Sequence, residues 1–104
     1  MTEPKIPLDY ERIKAFCEKW KIVEFSLFGS VLTDEFRPDS DVDVMVEFES
    51  PTMWTLKNLD EMEDELSEIF GRRADLSTKL GVTHMRNYIR RTSILRGSRV
   101  IYAN

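Results

Sequence analysis

One stretch constrains this chain more than any other: LFGSVLTDEFRPDSDVDVMVEF, from Leu27 to Phe48. An apolar run ends at Gly29-Ser30, and ten residues later an alternating segment begins at Asp41-Val42-Asp43. Residues two apart in a strand share a face, separated by about 6.6 Å at about 3.3 Å of rise per residue. Asp41 and Asp43 therefore project together, with Val42, Val44, Val46 and Phe48 on the opposite, buried face. Neighbouring carboxylates repel, so a fold that keeps them normally supplies a cation. Oxygen-only ligands select a hard ion such as Mg²⁺. A pair of such ions about 3.5–4 Å apart, the arrangement of phosphoryl-transfer sites, can be bracketed by two adjacent carboxylates.

The rest of the chain is compatible with that chemistry. A length of 104 residues predicts one domain with its own core. No apolar run approaches the roughly 18 residues of a membrane span, and MTEPKIPLDYERIK has no signal-peptide core, so the cytoplasm is expected. The lone Cys17 makes neither an intramolecular disulfide nor a zinc cluster, and its place on a helical stripe marks it as core. A net charge of −4 argues against binding duplex nucleic acid through many phosphate contacts, but leaves room for a nucleotide neutralised by metal. Acidic residues crowd positions 34–68, whereas Arg86, Arg90, Arg91, Arg96 and Arg99 fall in the last fifth.

In order, Ile13, Phe16, Cys17 and Trp20 form the stripe of a helix over about Leu8–Trp20, capped by Asp9. Ile22–Phe28 reads as a strand. Gly29 permits a sharp turn or a close approach, and Ser30 is expected to cap a short helical turn running to Thr33, whose amides suit an anion. The Asp39, Asp41, Asp43 triple is not a calcium loop, because Val44 and Ser50 stand where glycine and glutamate are required, and no GK[ST] follows Gly29. Ser50-Pro51 predicts the start of a second helix. Its inward stripe is Leu56, Leu59, Met62, Leu66 and Ile69 or Phe70, its outer face is acidic, and Gly71 ends it. Arg72–Thr78 is a short strand carrying Asp75. A helical crossover between it and the Asp41–Phe48 strand predicts parallel neighbours, bringing Asp75 towards Asp41 and Asp43. Thr83 is expected to cap a last helix to about Arg91, with Met85, Tyr88 and Ile89 inward, Arg90-Arg91 at its C-terminus and His84 on the surface. Arg99–Tyr102 reads as a closing strand.

Gly29-Ser30, a ten-residue spacer, Asp41-x-Asp43 and a later strand aspartate, Asp75, together resemble the nucleotidyltransferase fold of the DNA polymerase β superfamily. The chain is similar to its minimal members, the MNT-domain antitoxins encoded beside HEPN-domain ribonuclease toxins; GRRADLST matches their third-carboxylate strand. The resemblance implies an α/β (α+β) fold, a small mixed sheet flanked by helices. It implies that Gly29 and Ser30 hold the β- and γ-phosphates of ATP, that Asp41 and Asp43 hold two Mg²⁺ ions, and that Asp75 completes the site at the attacking hydroxyl. It further implies transfer of AMP to a tyrosine of the adjacent toxin, with no direct nucleic-acid or membrane partner. Members of this group commonly carry an arginine three residues after the serine, where this chain has Thr33, so a phosphate-contacting cation is either absent or supplied from elsewhere, with Arg37 a candidate. Two other readings compete: an antitoxin that neutralises by binding alone, and a transferase acting on a small molecule such as an aminoglycoside, an activity normally accompanied by a second domain.

Overall fold

In a computed structural model, residues 4–50 and 53–104 are described. Helix α1 spans Tyr10–Lys19, with the Asp9 side chain accepting from the Arg12 amide. Strand β1 (Ile22–Phe28) follows, then a 3₁₀ turn over Gly29–Leu32 and strand β2 (Val42–Phe48). Helix α2 (Leu56–Phe70) crosses over to β3 (Ala74–Thr78). Two helices, α3 (Lys79–Thr83) and α4 (Tyr88–Gly97), precede the closing strand β4 (Arg99–Ala103).

The sheet order is β3-β2-β1-β4, with β2 and β3 parallel and the other pairs antiparallel, so the expected small mixed sheet flanked by helices is what forms. One face buries Phe25, Leu27, Val42, Val44 and Val46 against Ile13, Phe16 and Cys17 of α1 and Met62 and Leu66 of α2. Burial pushes the Cys17 thiol up to about 12, with the Glu18 charge adding to it, so Cys17 is packing material and not a nucleophile. The other face carries a smaller cluster, Phe28, Met45, Val82 and Ile94, beneath α3 and α4. Asp43 and Asp75 lie towards this second face.

Three sequence expectations are corrected. Helix α2 starts later than Ser50-Pro51 suggests (Pro51 lies outside the described residues). Its cap is Thr55, which forms a reciprocal capping box with Asn58. Leu56 falls on the first turn before the helix meets the sheet and is 81% exposed, not inward. The single last helix is really two. Thr78 caps α3, Asn87 caps α4, and Thr83 ends α3 by donating its hydroxyl to the Lys79 carbonyl. Tyr88 and Ile89 are consequently exposed, at 64% and 69%, while Ile94 supplies the buried contact. Arg90 and Arg91 stand in the first turn of α4, not at a helix C-terminus.

Candidate active site

At the seam between β1 and β2 the backbone passes close to a carboxylate. Phe28 pairs with Asp43 at the end of the antiparallel ladder, so the turn that follows Phe28 begins directly over the Asp43 side chain. Gly29 occupies that point with φ +79, and a Cβ added there would lie 2.3 Å from Asp43 Oδ2. Both the left-handed backbone and the missing side chain are thus required, and the close approach anticipated at Gly29 is to an aspartate of its own chain.

The crossover through α2 delivers the third carboxylate. In the parallel β2–β3 ladder Asp43 stands opposite Asp75, which places their side chains on one face of adjacent strands. Asp41 lies just before β2, two residues from Asp43, and its Oδ2 is 3.9 Å from Arg73 Nε in a solvent-exposed pair. The Asp43 carboxyl is held above the usual carboxylate range. Partial burial is the main cause, the Asp75 and Asp41 charges add to it, and the Arg90 guanidinium partly offsets it. The edge strand is itself anchored: the Leu76 amide donates to Glu63 Oε2 at 2.8 Å and the Ala74 amide to Ser67 Oγ at 3.0 Å. Glu63, one of the residues the acidic outer face of α2 comprises by sequence, is therefore a ladder-end acceptor that covers the β3 edge.

These carboxylates fit a hard divalent cation by donor chemistry and by the repulsion around Asp43, which Arg90 offsets only in part. Among the described residues no three carboxylate, histidine or cysteine side chains close into a self-sufficient metal cage.

A cleft of about 520 Å³ opens on the site, lined by Phe28, Gly29 and Asp43 on the sheet side and by Asn87, Ile89, Arg90, Ser93 and Ile94 of the α4 segment. Ser30 is not in that lining. It lies inside the 3₁₀ turn and does not cap it; its carbonyl accepts from the Thr33 amide and hydroxyl, at 2.9 and 3.0 Å. The Thr33 hydroxyl is thereby turned inward on the loop. Arg37 belongs to a different cleft, with Lys5, Phe36 and Arg72, where its carbonyl accepts from the Arg72 guanidinium. The cation that faces Asp43 is Arg90 instead. A helix capped by Thr83 would carry Arg90 at its C-terminus; the actual N-cap, Asn87, puts Arg90 in the first turn of α4, beside the site. Another cleft, of about 240 Å³ around Lys79 and Leu80, adjoins the far end of the β2–β3 seam and contains none of these aspartates.

The nucleotidyltransferase domain model matches residues 10–99, and the chain belongs to that family. It is 36% identical over 66 residues, 64% of its length, to the protein adenylyltransferase MntA of Thermococcus cleftensis. Over a stretch of the same extent it is 35% identical to MJ1217 of Methanocaldococcus jannaschii, provisionally named a protein adenylyltransferase. The chain spans 65% of the length of each of these relatives. Among solved structures, one provisionally described as a minimal nucleotidyltransferase aligns with a TM-score of 0.66 and 29% identity, over 86% of each chain. A toxin–antitoxin crystal structure with AMP-PNP aligns with a TM-score of 0.71 over 93% of this chain and 75% of that one; at 15% identity this likeness speaks for the fold. Among the described residues no helix is long and apolar enough to cross a membrane.

Proposed function

We propose that residues 1–104 form one minimal nucleotidyltransferase domain that transfers AMP from ATP to a hydroxyl, a tyrosine of a HEPN ribonuclease toxin, and so acts as its antitoxin in the cytoplasm. The observation that carries this reading is the register of Asp43 opposite Asp75 on parallel strands, with Asp41 two residues away and Gly29 pressed against Asp43. Its support from relatives is the naming of MntA as a protein adenylyltransferase.

Asp41, Asp43 and Asp75 would hold two Mg²⁺ ions, which when bound neutralise charge on the α-phosphate and on the departing pyrophosphate. Gly29 and Ser30 would accommodate the β- and γ-phosphates, Gly29 by letting the turn lie close over Asp43, Ser30 by offering its hydroxyl. The acceptor oxygen bonds to the α-phosphorus, the bond to the pyrophosphate oxygen breaks, and pyrophosphate leaves with that electron pair. Asp75, itself exposed on edge strand β3, would take the hydroxyl proton or position the metal at the acceptor oxygen.

The test uses purified protein, Mg²⁺, ATP radiolabelled at the α-phosphate and the product of the neighbouring gene. Label is expected on the partner with wild-type protein and absent with Asp41→Ala/Asp43→Ala. A second reading, neutralisation by binding alone, draws on Thr33 in the place of an arginine. It predicts co-purification of the two proteins with no label, and full neutralisation by the double variant.

A further inference from the structure

Helix α4 breaks a local electrostatic rule at the mouth of the site. The N-terminal turn of a helix carries partial positive charge and favours acidic side chains. The first turn of α4 has no acidic residue and instead begins Tyr88-Ile89-Arg90-Arg91. Arg91 is accounted for, because its guanidinium donates to the Met85 carbonyl at 3.0 Å and ties α4 to the preceding loop. Arg90 makes no such bond. Its amide is taken by the Asn87 side-chain cap, at 3.2 Å, and its guanidinium is exposed without a hydrogen bond or ion pair among the described residues. It lines the cleft containing Gly29 and Asp43. A guanidinium set against its own helix, facing the Asp43 carboxyl across the cleft without a hydrogen bond to it, is in place for a ligand that brings negative charge.

The site needs such a cation. Three carboxylates and a polyphosphate, set against two divalent ions, leave an excess of negative charge. The Gly29–Thr33 turn offers no cation to relieve it, its Thr33 hydroxyl being bonded within the turn, and Arg37 lines a different cleft, with Phe36 and Arg72. Resting on the nucleotide reading of the cleft, we propose that Arg90 is a polyphosphate-binding residue, donating from α4 to the β- and γ-phosphates of a nucleoside triphosphate seated over Gly29. The triphosphate is then gripped between the sheet and α4, in a helix-borne substitute for a cation on the Gly29–Thr33 turn. Guanidinium–phosphate bonds are charge-assisted, and their loss weakens binding about 10- to 100-fold.

The experiment measures affinity by calorimetry in Mg²⁺, without the partner protein, for AMP and for an ATP analogue that cannot be cleaved between its α- and β-phosphates. Arg90→Ala is expected to weaken the analogue about 10- to 100-fold and AMP less than about threefold, with the native fold retained by circular dichroism. Arg90→Lys is expected to recover part of the loss. Arg96→Ala, one charge removed from the far end of α4, is expected to bind as wild type. Unchanged analogue affinity in Arg90→Ala overturns the proposal, as does an equal loss for AMP, or a loss confined to Arg37→Ala. Wild-type protein that binds neither nucleotide overturns the nucleotide reading itself, and the role of Arg90 with it.

Discussion

At Gly29 there is no room for even a methyl group beside Asp43. Alanine there must adopt φ +79 and place its Cβ 2.3 Å from Asp43 Oδ2. The left-handed conformation alone costs about 1–2 kcal/mol for a residue with a Cβ, and the clash adds to it. Gly29→Ala is expected to lose more than that in urea denaturation; in an Asp43→Ala background, where the obstructing carboxylate is gone, the loss should fall back towards the backbone cost. Equal losses in the two backgrounds would mean that Gly29 and Asp43 are not pressed together. Asp43 itself carries a pH signature. Its folded carboxyl is raised, chiefly by burial and then by Asp75 and Asp41, so the folded protein keeps this proton to higher pH than the unfolded chain does. The stability it contributes is complete below the unfolded carboxylate range and lost as pH rises through the raised folded value. Asp43→Asn should therefore melt higher than wild type at neutral pH in metal-free buffer, the gap closing as pH falls into the acid range. A lower melting temperature for Asp43→Asn at pH 7 would show that the site carboxylates are not in net repulsion.

At the scale of elements, what the sequence disclosed follows from how each signal works. Strands β1 and β2 and helix α1 declare themselves through periodicity, and the crossover rule carries Asp75 to the strand beside Asp43. Helix starts were harder to read, because a serine, a threonine and an asparagine all offer a capping oxygen and only tertiary context chooses among them. Ser50 yields to Thr55, whose capping box with Asn58 is reciprocal, and Thr83 yields to Asn87 because Thr83 is itself the last residue of α3, its hydroxyl turned back to the Lys79 carbonyl, while Asn87 accepts from the Arg90 amide. Periodicity likewise includes Leu56 in the stripe of α2, although the helix has not yet reached the sheet there. The consequences are measurable in urea denaturation. Thr55→Ala should cost about 1 kcal/mol through loss of the cap, Leu56→Ala should stay within about 0.5 kcal/mol, and Met62→Ala should cost about 2–5 kcal/mol. A Leu56→Ala loss as large as that of Met62→Ala would contradict the late start of α2. The placement of Arg90 was hidden for the same reason: a helix shifted by one cap turns its last residues into its first.

For the molecule as a whole, the sheet divides a large core from a small one. Helices α1 and α2 share the extensive cluster around Phe25 and Val44, whereas among the described residues α3 and α4 rest on the smaller cluster of Phe28, Met45, Val82 and Ile94, with Met85 against it. The site lies on the weakly held side, between Asp43 and α4. Local opening is easiest where buried contacts are few, so in hydrogen exchange the amides of α4 should open before those of α1 and α2. Mg²⁺ with an uncleavable ATP analogue should protect α4 first, by closing it onto the ligand. Protection appearing in α1 and α2 but not in α4 would place the ligand elsewhere. The central claim is that Asp41, Asp43 and Asp75 form the metal-dependent nucleotide site, and the most direct test is a crystal structure grown with Mn²⁺ and an ATP analogue uncleavable between its α- and β-phosphates. Anomalous peaks are predicted beside Asp41, Asp43 and Asp75, with the triphosphate between Gly29 and α4. Metal and nucleotide bound in the cleft around Lys79 and Leu80, with no anomalous signal at the three aspartates, would contradict it.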